Sequence, residues 1–308
     1  MQRRLRIGTR GSPLALIQAR DVAARIARAL GRPEEEATEI VIIKTTGDRV
    51  QDRNLSELGG KGLFTKEIEE ALGSGGIDVA VHSMKDMPTV LPDGLVIDCL
   101  LERVDPRDAF ISEKAVSILT LPKGAIVGTS SLRRGAQVKA LRPDIEVVGF
   151  RGNVETRLKK LADGVADATL LAMAGLTRMG LTDKVTAPLS PDEMLPAVAQ
   201  GAVGVERRAN DEEVAAVLGE LHHIETGLRV AAERATLAVL DGSCRTPIAA
   251  LAVIEGKKLA MRAMILTPDG SEVIETAREG LASDAVALGR DAGEELKGRA
   301  GPHFFDGV

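Results

Sequence analysis

The chain has 308 residues, of which 44% are hydrophobic and 28% charged, and a net charge of −5 at pH 7. This length suits two or three domains of ordinary size, and the composition is that of a globular protein. The negative balance excludes a protein that binds nucleic acid non-specifically through a basic field, so any anion site must be a local cluster of Arg and Lys. With no Trp, no Tyr and 5 Phe, the chain also lacks the stacking surfaces that single-stranded nucleic acid requires.

The cysteines and the hydropathy pattern bear on location. Two cysteines, Cys99 and Cys244, are too few for a disulfide framework, and a reducing compartment fits them. No apolar run approaches the roughly 20 residues of a membrane span, and the basic start is followed by an apolar run too short for a secretory signal. We therefore expect a cytoplasmic protein that binds neither membranes nor nucleic acid.

The first third of the chain alternates predicted strands and helices. A strand over residues 5–8 leads to Ser12 and Pro13, which cap and open a helix that ends near Leu30. Its free N–H groups, with Arg10 beside them, suit an anion, although a capped surface helix explains the pattern equally well. The apolar run 40–43 predicts a strand covered on both faces.

A polar stretch over residues 45–57 predicts a mobile loop. The glycine-rich turn 59–62, which contains Lys61, then opens a helix predicted for residues 63–72. This turn is not a Walker A motif, because its spacing differs and Gly62 stands where Ser or Thr is needed. Taken alone it is a weak indication of an anion site.

The stretch 79–88, V-A-V-H-S-M-K-D-M-P, is the centre of the predicted site, and the rest of the chain is interpreted around it. A short buried strand over residues 77–81 runs into Ser83, Lys85 and Asp86, and Pro88 prevents a helix from continuing. A cation and a carboxylate thus lie together at the carboxyl end of a strand, where open α/β sheets bind ligands. The alternative is a turn with a solvated Lys–Asp pair.

A second α/β block begins after a charged crossing at residues 102–108, which follows an apolar strand over 95–101. Its strands are predicted at 125–128, 146–150 and 167–172, and an arginine follows each: Arg133 and Arg134, Arg151 and Arg157, and Arg178. Positive charge is disfavoured at a helix start, so an anionic ligand would offset that cost. Arginine also suits bidentate contacts with carboxylates, so the ligand would be a carboxylate. The alternative interpretation is that these arginines are scattered over the surface and bind nothing.

The prolines at 188, 191 and 196 mark a return linker, and residues 200–205 predict a strand or tight turn that rejoins the first block. The last block is α+β. Residues 211–240 are predicted to be mostly helical and to end at Asp241-Gly242, before a loop that contains Cys244. Three strands at 249–254, 258–266 and 271–278 form a meander, and a helix covers 283–297. Adjacent His222 and His223 do not share a helix face, so we expect no metal site.

Several motifs, in order along nearly the whole chain, resemble those of the porphobilinogen deaminases, also called hydroxymethylbilane synthases. They are T-R-G-S-P-L-A-L (Thr9–Leu16), G-G-K-G-L-F (Gly59–Phe64), V-A-V-H-S-M-K-D (Val79–Asp86), D-P-R-D-A-F (Asp105–Phe110), V-G-T-S-S-L-R-R (Val127–Arg134), R-G-N-V-E-T-R (Arg151–Arg157) and the cysteine loop Gly242–Pro247.

The resemblance implies an α/β fold of three domains. Two would be type II periplasmic-binding-protein-like α/β domains, formed by residues 1–101 with 200–219 and by residues 107–195. The third, residues 222–308, would be a smaller α+β domain that carries the cofactor cysteine. The chain would cross twice between the first two domains.

The activity implied is the head-to-tail condensation of four porphobilinogen molecules, with loss of ammonia at each step, to give hydroxymethylbilane for haem and porphyrin synthesis. The implied cofactor is a dipyrromethane primer, held by a thioether to Cys244. The enzyme would be a monomer with porphobilinogen as its partner, and neither a metal nor a nucleotide is implied. Each pyrrole carries an acetate and a propionate, which explains the arginines.

The resemblance also implies residue roles. Asp86 matches the catalytic carboxylate, which would stabilise the cation left when ammonia departs and handle the pyrrole protons. The positions implied for the cofactor are Cys244, Lys85, Ser83, Thr129, Ser131, Arg133, Arg134, Arg151 and Lys61. Those implied for the substrate are Arg10, Ser12, Arg157, Arg178, Gln200 and Phe64.

Two positions depart from the family pattern: Ser243 stands where glycine is frequent, and Glu57 where some relatives have lysine. The main alternative is a non-catalytic anion-binding module of the same two-lobed fold, which would need neither Asp86 nor Cys244. A nucleotide-dependent enzyme is a third possibility, weakened by the missing Walker A and G-x-G-x-x-G patterns.

Overall fold

A computed structural model describes residues 3–49, 64–240, 246–301 and 304–305. The predictions for Lys61, Cys244, Glu57, Ser243 and the Asp241-Gly242 cap lie outside these residues. The described strands are β1 (Leu5–Thr9), β2 (Thr38–Ile42), β3 (Val79–Ser83), β4 (Leu95–Leu100), β5 (Asp108–Ile111), β6 (Ile126–Gly128), β7 (Glu146–Val148), β8 (Ala168–Ala172), β9 (Ala187–Pro188), β10 (Val203–Arg208), β11 (Ile248–Glu255), β12 (Lys258–Leu266) and β13 (Val273–Leu281).

The α-helices of the same residues are α1 (Pro13–Leu30), α2 (Glu34–Ala37), α3 (Thr46–Arg49), α4 (Lys66–Gly73), α5 (Leu132–Leu141), α6 (Val154–Ala162), α7 (Met173–Arg178), α8 (Glu212–Gly219), α9 (Ile224–Val239) and α10 (Ala285–Arg299). Short 3-10 turns lie at Met84–Asp86, Ile118–Thr120, Thr182–Lys184 and Ala282–Asp284. None of the described helices is long and apolar enough to cross a membrane.

The chain divides into two compact units. The first comprises Met1–Val104 and Ala202–Gly227, and the second Asp105–Gly201 and Leu228–Val308. The division after Val104 falls within the crossing predicted at residues 102–108.

In the first unit, the described strands form a sheet in the order β2-β1-β3-β10-β4. Strands β2, β1 and β3 are parallel, and β10 runs antiparallel between β3 and β4. The buried side of α1, which includes Val22 and Ile26, packs on Leu5 and Ile7 of β1. Helix α1 has its predicted bounds because Ser12 caps its start and Gly31, in the left-handed conformation, ends it.

The second unit repeats this strand arrangement. Its described α/β sheet has the order β7-β6-β8-β5-β9, with β7, β6 and β8 parallel and β5 antiparallel between β8 and β9. The strand that reverses direction is in each sheet the one that follows a crossing, β5 after the first and β10 after the second. The prediction that residues 200–205 rejoin the first block is confirmed.

The remaining described sheet, β11-β12-β13, is the predicted antiparallel meander and also belongs to the second unit. It contacts α5 through an apolar cluster of Ala136, Leu195, Ala249, Met264 and Leu266. The predicted turn after β12 places Gly270 in the left-handed region, at a φ of 73°, and a side chain there would lie 2.4 Å from a main-chain oxygen of α5. The predicted fold class, two α/β lobes with a smaller α+β part, is confirmed.

Two local predictions need correction. Strand β2 is not covered on both faces, because Ile42 is 55% exposed. The stretch predicted as a loop from residue 45 begins with the short helix α3, in which Asp48 bonds to the Thr45 hydroxyl at 2.8 Å. The region 211–240 is mostly helical, as predicted, and contains two helices, α8 and α9.

Candidate active site

The turn that carries Asp86 is fixed by main-chain hydrogen bonds. Strand β3 ends at Ser83, and the next residue, Met84, donates its N–H to Ala202 O at 3.0 Å. Met87 N–H closes the turn on Met84 O at 3.3 Å. Asp86 lies at the end of this turn with its side chain exposed, and no hydrogen bond joins its carboxylate to another described residue. The carboxylate therefore faces solvent from an ordered backbone.

Ser83 is positioned by helix α1. Gln18 is buried on α1, and its amide and the Ser83 hydroxyl are 3.0–3.2 Å apart, close enough for a hydrogen bond in either direction. Lys85 is half-buried beside it. Because β1 and β3 are parallel neighbours, the segment after β1 emerges at the same sheet edge as this turn.

That segment carries Arg10 and Ser12. The Arg10 guanidinium forms an ion pair with Asp48 of α3, and it lies 4.2 Å from the centre of the Phe64 ring. Burial would raise the pKa of Asp48, but hydrogen bonds from Arg10 and Thr45 outweigh it and hold that pKa below its usual value. Ser12 accepts a hydrogen bond from Ala15 N–H as the cap of α1. Arg10 thus already has an internal carboxylate partner, which the sequence did not indicate.

In the second unit, Arg133 and Arg134 lie at the start of α5, as predicted, but both are buried. Each is 4% exposed, and both are ion-paired with the fully buried Asp108 of β5, at 2.8 Å and 2.6 Å. Arg133 also donates to Leu195 O and Arg134 to Leu170 O. The expectation that a ligand offsets their charge is incomplete, because Asp108 supplies a permanent carboxylate.

The environment of Asp108 fixes its charge. Burial acts to raise its pKa, but the charges of Arg133 and Arg134 and a hydrogen bond from Gln200 lower it to about 2. The Gln200 amide lies 3.0 Å from Asp108 Oδ1 and 2.7 Å from Pro106 O. Two arginines against one carboxylate leave a net positive charge in this cluster.

Two helix caps and a threonine hydroxyl follow strands β6 and β7 of the second sheet. Ser131 caps α5 by accepting from Arg134 N–H, and the Thr129 hydroxyl accepts from Ser131 N–H at 3.2 Å. Asn153 caps α6 by accepting from Thr156 N–H at 2.8 Å. A serine hydroxyl that accepts as a cap retains its own O–H to donate, so a cap and a ligand contact are compatible.

Arg151, Arg157 and Arg178 complete the predicted arginine set. Arg157 donates to Gly152 O at 2.9 Å and Arg178 to Gly201 O at 3.0 Å, and both are half-buried. The Arg151 Nη1 and Arg133 Nε atoms are buried, and neither has a hydrogen-bond partner in the part of the chain that the structure describes. Buried donors without partners are costly, so these two nitrogens suit a bound anion.

The sequence predictions missed Gln18, Asp48 and Asp108. An acidic residue at the start of an apolar strand, as Asp108 is in D-A-F-I, was the one available indication of a buried charge pair. Among the described residues, no group of three or more His, Cys, Asp or Glu is placed to hold a metal ion.

Family models match most of the chain. Residues 5–216 match the model described as "Porphobilinogen deaminase, dipyromethane cofactor binding domain", and residues 227–298 match "Porphobilinogen deaminase, C-terminal domain". The chain belongs to the porphobilinogen deaminase family.

Relatives in this family are similar over nearly their full length. The porphobilinogen deaminase of Paracoccus denitrificans is 60% identical over 305 residues, 99% of this chain and 97% of the relative. That of Nitrobacter winogradskyi is 55% identical over 299 residues, 97% of this chain and 94% of the relative.

Solved structures of similar arrangement include a periplasmic substrate-binding protein of an ABC transporter from Coxiella burnetii, with a TM-score of 0.44 and 15% identity, over 71% of this chain and 92% of that one. A putative methionine-binding lipoprotein from Bacillus subtilis has a TM-score of 0.43 and 13% identity, over 73% and 92% of the two chains.

The cofactor of the porphobilinogen deaminase family is the dipyrromethane that the first model names. A dipyrromethane made from porphobilinogen carries carboxylates, and the donors of the second unit fit it. The buried nitrogens of Arg133 and Arg151 that lack a partner among the described residues belong to positively charged groups. The cluster around Asp108 also has an excess of positive charge, so both features would attract the carboxylates of the dipyrromethane.

Proposed function

We propose that the protein catalyses the stepwise head-to-tail condensation of porphobilinogen onto a covalently held dipyrromethane, and releases ammonia and then hydroxymethylbilane. The observation that carries this proposal is the family match, at 60% identity over 99% of the chain. It is supported by the exposed carboxylate of Asp86 and by the arginines that follow the strands of the second sheet.

Asp86 acts at the reacting ring. In each step a C–N bond of porphobilinogen breaks, a C–C bond forms at the free α-carbon of the preceding ring, and that carbon loses a proton, which leaves with ammonia as ammonium. A carboxylate on a fixed turn stabilises the positive charge that develops on the pyrrole and holds the N–H protons. The exposed position of Asp86 leaves room for a ring beside it.

The arginines hold carboxylates in place. Arg133, Arg134 and Arg151, with Thr129, Ser131, Ser83, Lys85 and Lys61, bind the acetate and propionate groups of the dipyrromethane, which supplies the carbon nucleophile. Arg10, Ser12, Arg157, Arg178, Gln200 and Phe64 bind the incoming porphobilinogen. The thioether forms at Cys244. Because Asp108 already compensates part of the charge of Arg133 and Arg134, Arg151 and Arg157 provide a larger share of binding than the sequence alone suggests.

The organisation expected from the sequence completes the proposal. The protein is a cytoplasmic monomer of three domains, residues 1–101 with 200–219, 107–195 and 222–308. The last of these domains carries Cys244. The two family models, which divide the chain between residues 216 and 227, support a separate C-terminal part.

The test combines mass and turnover. The purified protein should exceed its sequence mass by one linear dipyrrole, on the peptide that contains Cys244 and stable to thiol reductants. Cys244→Ser should lack this mass and be inactive, whereas Cys99→Ser, a buried strand thiol, should retain it. Asp86→Asn should keep the mass but lose turnover by about 10²-fold or more. Bilane formation by protein of bare sequence mass, or by Asp86→Asn at the normal rate, would refute the mechanism.

A further inference from the structure

A buried histidine and a buried glutamate form a hydrogen bond next to the turn that carries Asp86. His82, four residues before Asp86, is 6% exposed, and its Nε2 lies 2.9 Å from Oε2 of Glu206, which is fully buried. In the antiparallel pairing of β3 with β10, His82 faces Gly204 and Ala80 faces Glu206. The two side chains are therefore diagonal neighbours on one face of the sheet.

This pair is costly where it stands. The same face packs against α4 through the apolar residues Ile68, Leu72, Ile77 and Ala80, and Glu69 of α4 is close enough to interact electrostatically with both members of the pair. The other carboxylate oxygen, Glu206 Oε1, is buried and has no hydrogen-bond partner among the described residues. Burying polar groups costs free energy unless the geometry satisfies all of their polar atoms, and replacing a buried polar pair by well-packed apolar residues is often neutral or stabilising. Stability by itself therefore does not explain why the pair is present.

The position of the His82–Glu206 pair relative to the turn offers an explanation for its presence. The chain runs from His82 through Ser83 into the turn Met84–Asp86 without an intervening loop. The Met84 side chain packs over Gly204, where an added Cβ would lie 2.2 Å from its sulfur. His82, Ser83 and Met84 are thus each held by a different contact, with Glu206, with Gln18 and with the backbone at residues 202 and 204.

We propose that His82 and Glu206 are positioning residues, which fix the direction in which the β3 backbone enters the turn and thereby the place of the Asp86 carboxylate. The inference rests on the proposed catalytic role of Asp86. A displacement of about 1 Å at a reacting group costs on the order of 10²-fold in rate, so a well-anchored backbone behind an exposed carboxylate has a direct effect on turnover.

The decisive variant replaces both partners by apolar residues, His82→Leu with Glu206→Leu. It removes both partners together, so neither is left without the other, and the protein should unfold at about the wild-type temperature or above. We expect a wild-type adduct mass and a KM for porphobilinogen within twofold, with kcat lowered about 10- to 100-fold. If the pair has only a structural role, a stably folded double variant should have a kcat within twofold of wild type, and that result would overturn the proposal.

A second pair of variants covers the case in which the double variant does not fold. His82→Phe keeps a ring at position 82 that cannot hydrogen-bond to Glu206, and Glu206→Leu keeps much of the side-chain volume but cannot pair with His82. Each should lower kcat at unchanged KM, and the two together should lower it no further than the worse single change, because they remove one interaction. Wild-type kcat in both single variants would likewise overturn the proposal.

The control is Glu70→Gln, on the exposed side of α4, which should leave kcat, KM and adduct mass unchanged. The failures of the two proposals are distinguishable. If wild-type protein makes no bilane, the proposed function fails. If wild type is active and Asp86→Asn is not, but the His82 and Glu206 variants are normal, only the positioning role fails.

Discussion

A single buried carboxylate, that of Asp108, faces the charges of both Arg133 and Arg134. The sequence predicted both arginines at a helix start, because a Ser/Thr-rich cap precedes them. It did not predict their partner, which lies 26 residues before Arg134 on a strand of the sheet. Contacts of this kind depend on strand order, and no local pattern encodes it.

Asp108→Asn tests this charge balance. It leaves two buried guanidinium groups without their counter-charge, so the free energy of unfolding at pH 7 should fall by about 3–5 kcal/mol. Urea unfolding measures it. The control is Asp144→Asn, which removes an exposed ion pair with Arg142 and should cost much less, because water screens exposed charges. Equal losses in the two variants would contradict the buried pairing.

The loss of stability caused by Asp108→Asn should depend on pH. Folding lowers the pKa of Asp108 from 3.8 to about 2, so its contribution to stability is complete above the unfolded value and is lost as the pH falls through about 2. The stability difference between wild type and Asp108→Asn should therefore be constant from pH 7 to about 5 and narrow below about 4. A difference that stays constant into acid would contradict the lowered pKa.

At the scale of elements, predictions succeeded where the signals were local. Helix α1 has its predicted bounds because a Ser-Pro start and a glycine end are chemical features of the sequence itself. Strand β2 was predicted to be covered on both faces because its run is continuously apolar, but in the fold Ile42 is exposed, which the run itself does not indicate. Helix α3 was missed because its four residues, held by Asp48, are too few for any periodicity.

The packing of α10 on α9 offers a matched test within one helix. At Gly289 an added Cβ would lie 2.0 Å from Ala232 O, whereas at Gly298 it would meet no atom of the described residues within 4 Å. Gly289→Ala should lower the free energy of unfolding by about 2 kcal/mol or more, because the two helix backbones must separate. Gly298→Ala should raise it by up to about 1 kcal/mol, since alanine favours a helix. Urea unfolding of both variants measures the difference, and a loss at Gly298 equal to that at Gly289 would refute the close approach.

At the scale of the whole molecule, a net charge of −5 coexists with arginines gathered after the strands of one sheet. Porphobilinogen is an anion through its acetate and propionate, so local positive charge must draw it to a protein that repels it overall. Added salt weakens the attraction between the arginines and porphobilinogen, because the Debye length falls from about 10 Å at 0.1 M to about 3 Å at 1 M.

We therefore expect KM for porphobilinogen to rise about two- to fivefold between 0.05 and 0.5 M KCl, while kcat changes little. Initial-rate measurements at each salt concentration test this, with sucrose of equal osmolarity as the control. A KM that is independent of salt would show that the arginines do not attract the substrate over a distance.

The place of β10 in the first sheet has a consequence for the order in which the protein forms on the ribosome. The strand lies between β3 and β4, yet its residues, Val203–Arg208, are synthesised about 100 residues after Leu100. Because translation adds about 5–20 residues per second, β3 and β4 are complete on the order of 5–20 s before the strand that pairs with both of them. Until then their facing edges are unpaired and open to pairing with another nascent chain. The stability of the finished fold therefore gives these edges no protection during that interval.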